Sequence, residues 1–161
     1  MIVEKCIPYV LENSSTLNVL KSDIHGLDHW FRVWTNIKLL SKWNSEVDLE
    51  VAALFALFHD SMRDNDDHDP QHGLRGFKLW ELVNFNHILS AKQNAVLEYA
   101  CINHNDGLVT DDPTIGACWD ADRLDLPRVG IEPDIQFMST SVGCKMIMSK
   151  ALPNSRENHL L

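Results

Sequence analysis

The sequence has little of what several protein classes require. Its longest unbroken apolar run is Val51 to Phe58, closed by His59. A transmembrane helix needs about 20 such residues. The opening stretch Met1-Ile2-Val3-Glu4-Lys5 lacks the charged-then-apolar layout of an export signal. The four cysteines (Cys6, Cys101, Cys118 and Cys144) form no C-x-x-C pair, so they read as reduced thiols of a cytoplasmic protein. Basic residues are scarce: 14 Lys and Arg stand against 23 Asp and Glu, a net charge of −9. Gripping a nucleic acid polymer or an anionic membrane face demands the opposite balance, so neither is an expected partner. A small phosphorylated substrate remains compatible, because a metal ion or a few local arginines reverse the field inside one pocket. No G-x-x-x-x-G-K-[ST] phosphate loop occurs. No serine sits in a G-x-S-x-G setting, which leaves serine-hydrolase chemistry unsupported. Period-two alternation is also missing, and with it the signature of half-buried strands.

What is present is helical patterning in a chain of 161 residues, 45 % of them hydrophobic. A chain of this length can bury roughly 70 % of the surface its unfolded form exposes. The expected architecture is all-α: one compact bundle of about six helices over residues 1–150, with 151–161 as a loose tail. Ile7 to Leu11 belongs to a first helix. Asp23 is placed to cap a second, from about His25 to Trp43, with Trp30, Val33, Trp34, Ile37 and Leu40 on one face. Asp48 caps a third that ends near His59-Asp60. A polar loop from Met62 to Asp69 follows, and Asp69-Pro70 starts a fourth helix reaching about Asn84. Ser90 and Gln93 form a capping box for a fifth, ending near His104. Asp112-Pro113 opens a sixth that runs to about Leu126, and the pattern weakens after Val142.

Histidine is the residue in excess. There are eight, six of them between His25 and His87. His59 and Asp60 are adjacent at the end of the most apolar helix. On a straight helix neighbours diverge by about 100°, but at a terminus both can turn toward one ion. Imidazole nitrogen with carboxylate oxygen suits divalent Mn, Fe, Co, Ni or Zn. The dipeptide alone is weak evidence and reads more simply as a plain, partly exposed helix end. Two further segments surround it: His25-Gly-Leu-Asp-His-Trp-Phe-Arg-Val-Trp34 about 30 residues before, and Trp119-Asp-Ala-Asp-Arg-Leu-Asp125 about 60 residues after.

A histidine in H-x-x-R-V, then His-Asp after an apolar helix, then D-x-D-R-L-D resembles the HD-domain superfamily of metal-dependent phosphohydrolases. The likeness extends to a bacterial branch in which Asp-Pro-Gln-His-Gly and Trp-Asp-Ala-Asp-Arg-Leu-Asp recur, and spans about Asp23 to Gly130. It implies that His29, His59, Asp60 and Asp122 hold a first metal ion. Asp122 is preferred because the family pattern uses the second carboxylate of D-x-D, leaving Asp120 to orient a ligand. Members with two metals carry histidines in settings similar to those of His72 and His104, so these two can complete a dinuclear site around Asp60. The plain alternatives are a solvent-facing His72 and a His104 that complements a helix dipole. His25, four before His29, is a further candidate by spacing. His87 and His159 read as surface residues.

The same resemblance places Arg63 where His-Asp-x-x-Lys relatives carry a lysine that contacts substrate phosphate. Arg75 and Arg123 are further substrate-binding candidates, with salt bridges to nearby carboxylates as the alternative. His68 is a candidate acid for the leaving oxygen. The acidic run from Asp64 to Asp69 fails the EF-hand pattern, with Asp69 at the glycine position and Arg75 at the glutamate position. The implied function is hydrolysis of a small phosphoester such as a nucleotide by metal-activated hydroxide, using one or two ions. Arg63-Asp64 stands where alarmone hydrolases carry Glu-Asp. Leu108-Val109-Thr110 follows Gly107 where HD-GYP phosphodiesterases carry their Gly-Tyr-Pro. Both substrates are therefore disfavoured. A di-iron oxygenase of the same fold and a non-catalytic binding module are the alternatives.

Overall fold

The chain folds around one helix that has no polar face. In α3 (Leu49–Phe58) every residue from Val51 to Phe58 is buried, as expected of a helix apolar all round. The computed structural model describes residues 2–13, 20–83 and 88–149. Packed about α3 are α1 (Ile2–Asn13), α2 (Leu27–Ser41), α4 (His72–Val83), α5 (Ala91–Asn103) and α6 (Pro113–Arg123). Two 3-10 turns, Leu126–Val129 and Ile135–Phe137, lead to α7 (Ser141–Met148). Among the described residues there are seven α-helices and no strand, an all-α single-domain bundle. None of these helices is long and apolar enough to cross a membrane.

Three helix starts are tied together at one end of the bundle. Asp48 caps α3 by accepting from the Glu50 and Val51 amides. Its second oxygen accepts from Gln93 Nε2 of α5 at 2.9 Å, and its amide donates to Thr114 Oγ1 of α6 at 2.9 Å. The Ser90–Gln93 capping box and the Asp112 cap with Pro113 are both formed. Each such cap contributes about 1 kcal/mol. Helices α3, α5 and α6 therefore run side by side in one direction.

Other boundaries differ from the sequence expectation. Gly26, not Asp23, precedes α2, and it makes no side-chain cap. Ser22 instead organises the preceding turn, its Oγ accepting from the Ile24 and His25 amides. Helix α4 starts at His72, because the Asp69 carboxylate is engaged by the Asp64 amide at 2.9 Å and by Arg75. Helix α6 stops at Arg123; Pro127, without an N–H, prevents its continuation. Helix α7 lies where the pattern weakens. Residues 84–87 and 150–161, which include His87, His159 and the expected tail, fall outside the described residues.

Candidate metal centre

Because α3, α5 and α6 start together, they also end together. His59 is the C-cap of α3, His104 is the C-cap of α5, and Asp122 lies in the last turn of α6. Each helix C-terminus carries a partial negative charge. Three of them converging on one place make it favourable for cations before any side chain is counted.

Helix α4 reaches the same place through two glycines. A Cβ on Gly73 would collide with the Cys101 carbonyl of α5, and one on Gly76 with the Phe58 carbonyl of α3. Only a bare backbone lets α4 approach this closely, and the approach sets His72, its first residue, beside Asp60. His29 enters from the buried stripe of α2.

The six residues form two groups of three, His29–His59–Asp122 and Asp60–His72–His104. In the first group His29 Nε2 lies 3.1 Å from His59 Nε2 and 3.3 Å from Asp122 Oδ1. In the second, His72 Nε2 lies 2.9 Å from His104 Nε2. Asp60 faces both. Its Oδ2 is 3.5 Å from His29 Nε2 and 3.7 Å from His59 Nε2. Its Oδ1 is 3.1 Å from His72 Nε2 and 3.6 Å from His104 Nε2. All six are buried except Asp122, whose side chain is 18 % exposed.

The outer nitrogens decide what the inner ones do. His29 Nδ1 donates to Asp125 Oδ2 at 2.7 Å, His59 Nδ1 to the Phe55 carbonyl at 3.0 Å, and His104 Nδ1 to the Cys101 carbonyl at 2.7 Å. His72 Nδ1 donates to the Asp69 carbonyl. Every ring thus turns Nε2 inward, the arrangement in which an acceptor on one nitrogen orients the other as a ligand. Four inward Nε2 atoms and two carboxylates pack together only around protons or cations. These buried groups can hold a metal ion, and N/O donors of this kind suit divalent transition metals.

Without metal, protons take part of that role. Burial alone would push His29 down, but its bonds to Asp122, Asp125 and Asp60 outweigh burial and hold it up at about 10. Burial dominates at His59 and pushes it down to about 3. Burial also opposes a charged His104, yet the bond and charge of Asp60 raise it. The Asp60 carboxyl, which burial alone would raise, is held well below the usual carboxylate range by the four surrounding imidazoles.

The remaining candidates scatter. Arg63 is buried, with Nη1 3.4 Å from Asp60 Oδ1 and 3.2 Å from His72 Nε2, and its other nitrogens donate to the Asn65 and Asp67 carbonyls. Arg75 holds the 62–69 loop through Asp69, Asp64 and the Met62 carbonyl. Arg123 is likewise committed elsewhere, donating to the Gly107, Leu108 and Phe137 carbonyls. His68 is exposed on the loop, away from the two groups. Asp120 does not orient a ligand. It accepts from the Ser139 and Thr140 amides and the Thr140 hydroxyl, fixing the start of α7. His25 bonds Asp66 at 2.9 Å and stands edge-on to His29 without joining either group.

Asp125, not anticipated from the sequence, supports His29 together with Arg32, whose place on the same helical face suits a salt bridge to a nearby carboxylate. Asp125 orients His29, and Arg32 Nε donates to the other oxygen of Asp125 at 2.7 Å. Arg128 Nε lies 3.7 Å from Asp125 and donates to the Ile24 carbonyl at 2.7 Å. The last carboxylate of D-x-D-R-L-D was the available signal for Asp125. No family model matches the chain, and no curated protein or solved structure matches it either.

Proposed function

We propose that the protein is a metal-dependent phosphohydrolase acting on a small phosphoester. The observation that carries this reading is Asp60, whose two oxygens each face a different group of histidines. A single carboxylate shared in this way suits a pair of ions held by His29, His59 and Asp122 on one side and His72 and His104 on the other. When bound, such ions lower the pKa of water toward neutrality and polarise a phosphoryl oxygen. The chain supplies the rest. Asp125 fixes the His29 ring. Arg63, buried against Asp60 and His72, places a permanent positive charge where a phosphoryl group would gain charge. The buried walls exclude bulk water and strengthen these interactions.

Four histidines and two aspartates around a shared carboxylate are also a ligand set that suits two irons, which sustains a di-iron oxygenase as the second reading. The deciding experiment is phosphate release from a panel of phosphoesters by protein loaded with Mn or Co under argon. Turnover without oxygen is the expected result. No phosphate from any ester, together with oxygen consumption by the iron-loaded protein, would overturn the proposal in favour of the oxygenase.

A further inference from the structure

A cleft of about 250 Å³ opens beside one ligand from each group, His104 and Asp122. Among the described residues it borders both halves of the cluster. One part of its wall carries the exposed carboxylates of Asp106 and Asp134. Another is apolar, from Leu108, Leu126 and Phe137. The cation in the wall, Arg123, is held to the three loop carbonyls named above, so its donors are committed to shaping the cleft. Two carboxylates against one guanidinium leave the outer cleft net negative. Asp122 and His104 belong to the proposed ion groups and are left out of that balance.

Resting on the phosphohydrolase reading above, we propose that this cleft takes the alcohol end of the phosphoester and selects an uncharged or cationic alcohol over an anionic one. The phosphate end lies over the histidines and Arg63, and the alcohol extends between the acidic and apolar walls. In the reaction, water adds a hydroxyl to phosphorus, the ester P–O bond breaks, and the departing oxygen takes a proton. The products are inorganic phosphate and the free alcohol, without redox change. A second phosphate or a carboxylate on the alcohol would be driven against Asp106 and Asp134. The expected consequence is a preference for monoesters over nucleoside di- and triphosphates.

The test is a matched set of small monoesters: phosphocholine (cationic), glycerol phosphate (neutral) and 3-phosphoglycerate (anionic). Binding of each to the metal-loaded protein is measured by calorimetry, and phosphate release is measured separately. The expected order is cationic and neutral above anionic by about tenfold in Kd, the size that two exposed charge contacts supply together. In the double variant Asp106→Asn, Asp134→Asn the ratio between cationic and anionic esters falls toward one. An anionic ester bound as tightly as the others, or a ratio unchanged in the variant, overturns the inference. Correct ranking in binding without any phosphate release would instead sink the phosphohydrolase reading and leave the selectivity of the cleft standing.

Discussion

Replacing Gly76 with alanine tests how the site is assembled, because the structure predicts the opposite sign from an ordinary helical glycine. In an exposed helix this change stabilises by about 1 kcal/mol, since alanine is the better helix former. Gly76 is buried in α4, and an added Cβ would overlap the Phe58 carbonyl and sit 3.4 Å from the His59 carbonyl oxygen. Both obstacles are backbone at the end of α3, so no rotamer change relieves them and α4 must move outward. Overpacking of this kind costs about 1–3 kcal/mol or more. A backbone clash this close sits at the upper end, about 3 kcal/mol, so against the helical gain the net loss is about 2 kcal/mol, or roughly 4–8 °C in Tm for a chain of this size. His72 is four residues earlier on the same helical face, so the movement draws its Nε2 away from Asp60 Oδ1, now 3.1 Å distant. The loss of metal therefore falls on the group of Asp60, His72 and His104. Thermal unfolding followed by circular dichroism, with metal analysis of parent and variant side by side, measures both effects. A variant as stable as the parent, carrying the same metal, would refute the reasoning.

Three further outcomes are expected. Asp60→Asn keeps the size of the side chain but removes the charge shared by both groups, so metal content and activity fall together; full metal content by elemental analysis would contradict the shared-carboxylate geometry. Asp125→Asn leaves every ligand in place but weakens the acceptor that orients His29, and should lower metal affinity about 10–100-fold; an unchanged binding isotherm would remove Asp125 from this role. The pH dependence follows from His29, whose folded pKa of about 10 lies above its ordinary value of 6.5. In metal-free protein the stabilisation from its protonated form is complete below pH 6.5 and fades as pH rises toward 10, so the Tm of that form declines over this interval. Metal displaces the same proton, and calorimetry near pH 7.5 in buffers of different ionisation heat should record net proton release on loading, about one proton of it from His29. Loading without proton release would contradict the assignment.

Much of this arrangement was legible in the sequence. Asp48, Ser90–Gln93 and Asp112-Pro113 are local cap signals, and each forms where the pattern predicts. The all-apolar stretch from Val51 to Phe58 marks the central helix for the same reason. The six residues expected to hold metal are also the six that the fold brings together, since most of them sit at helix ends that caps and turns announce. What stayed hidden depends on distant partners. Arg75 and Arg123 look available until the carbonyls and carboxylates that engage them are in place. Asp120 and Asp125 are equivalent as letters, and only the position of α7 and of His29 separates their tasks. Helix α7 is short and begins on an anchor about 20 residues back in the chain, beyond the reach of any local period.

The central claim is that Asp60 joins two metal positions in one buried site. Elemental mass spectrometry of the freshly purified protein, followed by titration of the stripped protein with Mn, Fe, Co, Ni and Zn, measures it directly. The account predicts two divalent ions per chain at saturation, with Asp60→Asn losing both. Saturation at a single ion would contradict the paired centre, and no uptake of any of the five metals would contradict the metal site altogether.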